Sequence, residues 1–217
     1  MIEKLEFRVD PQTHFPLVQV PGENFALFWL PLTKVQAEYM LCEWPDSQFD
    51  RTWYQARLSG NGRVSPTQVA AANLVQTFLT HILFSEARDF CHWYGPACDL
   101  PTSEEWQRAL HAFEQTPADS TTLQQILKLQ DLDPRARQLV LACANALTSR
   151  QRQSAQTNLA QLLQLRPGFM LEYVYADATR NSCGACGGYQ SGFQPLRKPL
   201  EGGRMINLGL RPIWRLP

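Results

Sequence analysis

The sequence has 217 residues, enough for one large domain or two small ones. Hydrophobic residues make up 44% and charged residues 18%, which excludes wholesale disorder. Twenty basic residues balance 20 acidic ones, which argues against a partner recognised by overall charge, such as nucleic acid or an anionic membrane.

No run is apolar for long enough to cross a bilayer, and the opening MIEKLEFRVD lacks the apolar core of a secretory signal. Read as it stands, the sequence predicts a cytoplasmic protein whose six cysteines are reduced thiols. Residues 1–31 alternate weakly between apolar and polar, with Pro11, Pro16, Pro21 and Pro31 as punctuation, and predict short strands joined by turns. Thr33 with Gln36 is a capping-box signal for a first helix, with Val35, Tyr39 and Cys42 at helical spacing. Residues 43–66 read as loop. A second helix starts at Ser85, carries Ala87, Phe90, Cys91 and Tyr94 as one stripe, and ends at Gly95. Thr102 and Glu105 cap a third, whose buried stripe is Trp106, Ala109, Leu110 and Phe113.

Residues 119–166 differ in character: glutamine, leucine and alanine dominate, and aromatic residues and glycine are missing. Leu123, Ile126 and Leu127 predict one helix, and Asp133 with Pro134 starts another that carries Leu139, Val140, Cys143 and Leu147. Ala155, Leu159, Leu162 and Leu163 predict a third. The outward face is rich in Gln and Arg, including Arg150 and Arg152. Neither flank is a complete module, so this block reads as a helical insertion, 119–166, within one domain spanning 1–217. From Pro167 the earlier character returns.

Several segments, in order, then carry a family resemblance. PLTKVQAEY, ILFSEARDFCHWYG, DLPTSEEWQRAL, GFMLEYVYAD and the terminal INLGLRP are similar to successive motifs of the formylglycine-generating-enzyme (sulfatase-modifying-factor) family. The likeness covers roughly residues 25–113 and 167–217 and omits the helical block. It implies an α+β fold, the variant of the C-type-lectin-like fold that this family uses, here with a helical insertion. It also implies structural roles for Thr102, Glu105 and Trp106. Glu172 resembles the family's W-E-W glutamate and Arg211 its G-F-R arginine, each a partly buried charge that needs a partner. General acid–base work by Glu172 is the functional alternative.

The active members are copper-dependent oxidases that turn a sulfatase cysteine into formylglycine, using two cysteines shortly after an R-G-G-S segment. Here Gly187 and Gly188 are the best counterpart of that segment, and residues 189–217 hold no cysteine. Phe169 stands where the enzymes have a calcium-holding asparagine, and a ring cannot supply a hard oxygen ligand. The four histidines (His14, His81, His92, His111) do not cluster, and no phosphate-binding loop, H-E-x-x-H or G-x-S-x-G is present. These departures imply a non-catalytic member: a binding or adaptor module for another protein, in a bacterial multi-protein system that includes phage defence among its examples. No cofactor is expected beyond a structural zinc. The contact candidates are Tyr189, Gln190 and Phe193 of the glycine-rich loop, with Arg150 and Arg152. One alternative is a copper oxidase that uses Cys183 and Cys186. Another is a diversified ligand-binding protein of a retroelement, which shares the lectin-like scaffold.

The stretch NSCGACGGYQSGF holds Cys183 and Cys186 in a C-x-x-C spacing. A tight glycine turn with unligated thiols is the leading reading. A structural zinc is the next, with Cys91 and Cys98 as further ligands and His92 as a spare. Redox or copper chemistry comes last.

Overall fold

The computed structural model describes residues 5–44, 49–60, 78–118, 120–151, 158–163, 165, 170–187, 194–195, 205 and 208–217. Across these the chain is mixed α+β, with seven helices and two sheets. Strands β1 (Phe7–Val9), β2 (Pro16–Gln19) and β3 (Phe25–Phe28) form an antiparallel meander, because proline and Gly22 cut this region into runs too short for a helix. Strand β9 (Ile213–Arg215) lies between β3 and β4 (Cys98–Asp99), giving the sheet order β1-β2-β3-β9-β4. The second sheet contains β5 (Leu171–Tyr175), β6 (Cys183–Gly187), β7 (Gln194–Pro195) and β8 (Leu208–Gly209) in the order β7-β6-β5-β8. Only its β5–β8 pairing is parallel.

Alternation along these strands separates two cores rather than core from water. In β3, Phe25 and Leu27 join one apolar cluster, and Ala26 and Phe28 join another. In β5, Val174 belongs to the first cluster, and Leu171, Tyr173 and Tyr175 to the second. A strand buried on both faces reads as a near-continuous apolar run, which is what residues 25–30 show.

Helix α1 (Lys34–Glu43) begins with the expected box: Gln36 N donates to Thr33 Oγ1 at 3.2 Å and Thr33 N to Gln36 Oε1 at 3.0 Å. Its buried face differs from the expected stripe. Gln36, Ala37 and Met40 point inward, and Cys42 is exposed. The polar Gln36 is buried because Tyr94 OH accepts its amide at 3.0 Å.

Residues 51–60, expected as loop, form helix α2 (Arg51–Gly60). Asp50 caps it, accepting Trp53 N at 2.7 Å. The helix is held less by an apolar stripe than by Trp53, which packs edge-on against Phe49 and at a tilt against Phe90 and donates its indole N–H to Glu86 at 2.8 Å. Helix α3 (Phe84–Tyr94) starts one residue before Ser85, with the Glu86 carboxylate taking Leu83 N–H at 2.7 Å. Helix α4 (Ser103–Glu114) has the predicted box, Glu105 N to Thr102 Oγ1 at 3.1 Å and Thr102 N to Glu105 Oε2 at 2.8 Å. It also buries the predicted stripe.

The glutamine-rich block supplies α5 (Ser120–Leu127), α6 (Pro134–Gln151) and the single turn α7 (Leu159–Leu162). Ile126, Val140, Leu159 and Leu163 extend the first core against α4. Asp133 anchors α6: it caps the helix through Arg135 N at 2.7 Å and accepts Tyr39 OH of α1 at 2.7 Å, while Arg135 lies over the Tyr39 ring. Burial opposes ionisation of Asp133, but these donors outweigh it and hold its pKa below the ordinary 3.8.

A carboxylate depressed in the fold contributes stability that is full above the unfolded value and is lost as pH falls through the folded one. Urea unfolding of the wild type and Asp133→Asn will therefore show a stability gap at neutral pH that narrows through the carboxylate range. A gap independent of pH would refute the electrostatic part of this anchor.

Candidate functional site

The cysteine pair lies on β6, not in a turn. All five residues of β6 pair with β5, Cys183 opposite Tyr175 and Cys186 opposite Glu172. Side chains alternate along a strand, so residues three apart point to opposite faces. Cys186 faces the first core, and Cys183, half-buried beside Tyr175, faces the second. Glycine suits this strand for a reason of space. Gly187 has φ +89°, and a Cβ there would meet the Met170 carbonyl oxygen at 2.5 Å and the Trp106 ring at 3.7 Å.

Cys91 on α3 and Cys98 on β4 are buried in the second core, close enough for each thiol to influence the other. Three of the four thiols thus lie on one side of the second sheet and Cys186 on the other. The structure does not bring them together as a zinc site, and two sulfurs on opposite faces of one strand do not fit a two-thiolate copper site. Among the described residues, no group of three or more His, Cys, Asp or Glu side chains is placed to hold a metal.

Burial, followed by the charge of Glu172, pushes the Cys186 thiol up to about 12. Burial also raises Cys183, and Cys98 is raised further by burial and by its neighbours Cys91 and Asp10. The thiolate is the form that attacks and ligates, so these groups are held in their inert form.

Opposite Cys186, Glu172 is the centre of a buried polar cluster. Arg211 Nε and Nη2 donate to its Oε1 at 2.9 and 2.8 Å, and Trp106 Nε1 donates to its Oε2 at 2.7 Å. The remaining arginine nitrogen, Nη1, donates to the carbonyls of Trp29 and Leu163 at 2.9 Å and of Phe28 at 3.3 Å. Arg211 is 0% exposed and Glu172 2%. With an arginine paired to one carboxylate oxygen and an indole N–H to the other, this geometry fixes the charge in place and ties the surrounding segments together. Glu105 serves twice: its second oxygen accepts Arg215 of β9 at 2.5 Å.

Sequence reasoning missed a second buried hub. Asp10, fully buried, accepts Gln12 N, Thr13 N, Thr13 Oγ1 and Phe15 N at 2.6–3.0 Å, and Thr13 lies 3.4 Å from Tyr94 OH. The signal was the DPQT turn, in which an aspartate can bond the backbone two and three residues on. Tyr189, Gln190, Phe193 and Arg152 lie outside the described residues, as do the side chain of Arg150 and the position of Phe169. An open groove runs between the Pro21–Glu23 turn and α4, walled by the Glu23–Arg108 ion pair, His111 and the apolar Pro21 and Ala112.

Arg211→Met leaves Glu172 buried and unpaired, so it will lower stability by about 3–5 kcal/mol in denaturant unfolding. A loss under about 1 kcal/mol would show that water reaches the pair. Under native conditions at mildly alkaline pH, maleimide labelling with peptide mapping will find Cys42 modified, and Cys91, Cys98 and Cys186 protected until the chain unfolds.

Compared with family models, with curated proteins and with solved structures, the chain finds no match in any of the three.

Proposed function

We propose that this chain is a non-catalytic binding or adaptor module for another protein. In this reading it is a divergent relative of the formylglycine-generating enzymes, with a C-type-lectin-like fold and a helical insertion, working in the cytoplasm as a subunit or regulator of a bacterial multi-protein system. The observation that carries the reading is the placement of Cys183 and Cys186 on opposite faces of β6. A copper oxidase that holds its metal between two thiolates needs both sulfurs on one side. The buried Glu172–Arg211–Trp106 cluster supports the same reading, because its donors and acceptors are spent on holding the scaffold together.

Two measurements on the full chain decide between module and oxidase. Affinity capture from the native host, followed by native mass spectrometry, is expected to return one protein at fixed stoichiometry. In parallel, copper-loaded protein is expected to leave a cysteine peptide unchanged in the presence of oxygen and a thiol reductant. Turnover abolished by Cys183→Ser would overturn the proposal, and so would capture that returns no stoichiometric partner.

A further inference from the structure

Where the helical block meets the first sheet, one buried polar atom is left without a partner. Trp29, just after β3, is 1% exposed, and among the described residues its indole Nε1–H has no acceptor. Its ring packs edge-on against Phe7, with centroids 6.2 Å apart. Beside it lies a cavity of ≈ 10 Å³. Phe15, Pro16, Trp29 and Gln36 line it from one side, and Ala136 and Val140 of α6 from the other.

A space of this size admits about one water molecule, and a water occupies it only where polar partners line the wall. A dry cavity is the alternative, and it would leave a buried N–H permanently unpaired, which folded proteins avoid. Here the donor is present. Acceptors are present too: Phe15 and Pro16 line the wall, and their carbonyl oxygens, which accept Asp10 N and Trp29 N, carry two lone pairs each. Gln36, the polar side chain on the wall, is fixed in place by its bonds to Thr33 and Tyr94.

We propose that this cavity is a binding site for one internal water, which accepts the Trp29 indole N–H and donates to the carbonyls of the β2 entry. Its ligand class is water, because an apolar guest would leave the indole donor unpaired. The water ties the end of β3 to the β2 entry beneath the apolar face of α6, and the site does not depend on the adaptor reading.

Water-to-protein Overhauser contacts on the nitrogen-labelled full chain test the proposal. A cross-peak from a long-lived water to the Trp29 indole proton is expected. None is expected at the indole proton of Trp106, which is equally buried but bonded to Glu172. A cross-peak at both indoles, or at neither, overturns the site. Val140→Ile adds one methyl group to the cavity wall from α6. It is expected to abolish the Trp29 cross-peak while the chain stays folded, and a cross-peak that survives in the folded variant overturns the assignment of the water to this cavity.

Discussion

The Glu172–Arg211 pair is the contact on which the rest of the architecture leans. Neither charge could be buried alone, since moving one ion out of water costs several kcal/mol even after relaxation. Each therefore requires the other, and the requirement dictates geometry. Arg211 must stand beside β5 to reach Glu172, and its third nitrogen then meets carbonyls at the end of β3 and at Leu163. Trp106 closes the remaining oxygen from α4. Both sheets, α4 and the end of the helical block are thereby positioned around one guanidinium. A hydrophobic pair in the same place could match its stability, but not its directional demand on four separate segments.

What the sequence discloses here is what acts over three or four residues. Thr33 with Gln36, Thr102 with Glu105, and Asp133 before Pro134 are local chemical statements, and all three helix starts stand where they predict. The α+β class was legible for the same reason. Helix α2 was not, because its docking relies on Trp53 finding Phe90, an agreement between distant residues that no periodicity records. Strand β6 shows the opposite failure. Its composition says turn, but a ladder to β5 makes it a strand, and Gly187 is there because only hydrogen fits against the Met170 carbonyl. The meaning of the C-x-x-C spacing changed with it. Two residues between cysteines bring the sulfurs together on a turn and send them apart on a strand.

The two cores have different chemistry, and the sheets keep them apart. The first is mostly aliphatic, extended by the helical block, and includes the Trp106 indole over β6. The second is rich in aromatic rings and thiols, with Phe28 edge-on to Tyr94 and Phe84 against Tyr173 and Tyr175. Asp10 sits at the margin of the second, and burial raises its pKa against four hydrogen bonds that lower it. Each core meets its own polar hub, so neither hub has to serve the whole molecule. The helical block extends the first core and also packs Leu132 and Ala136 against Phe15, beside the Asp10 hub. The candidate site was partly legible: Glu172, Arg211 and Trp106 could be named from sequence, but not that one carboxylate would gather them.

The position of β9 has a consequence for how the protein is made. This strand, from residues 213–215, fills the gap between β3 and β4, while β8, only a few residues earlier, joins the second sheet beside β5. Between them sits Arg211. As a ribosome extends the chain, β3 and β4 emerge well before β9, the strand that lies between them. Until then, two open strand edges and an uncompensated Glu172 are exposed to whatever else is in the cell. Closing the first sheet therefore waits on a strand far along the chain from both of its neighbours, a long-range pairing that is slow to form and leaves those neighbours open in the meantime.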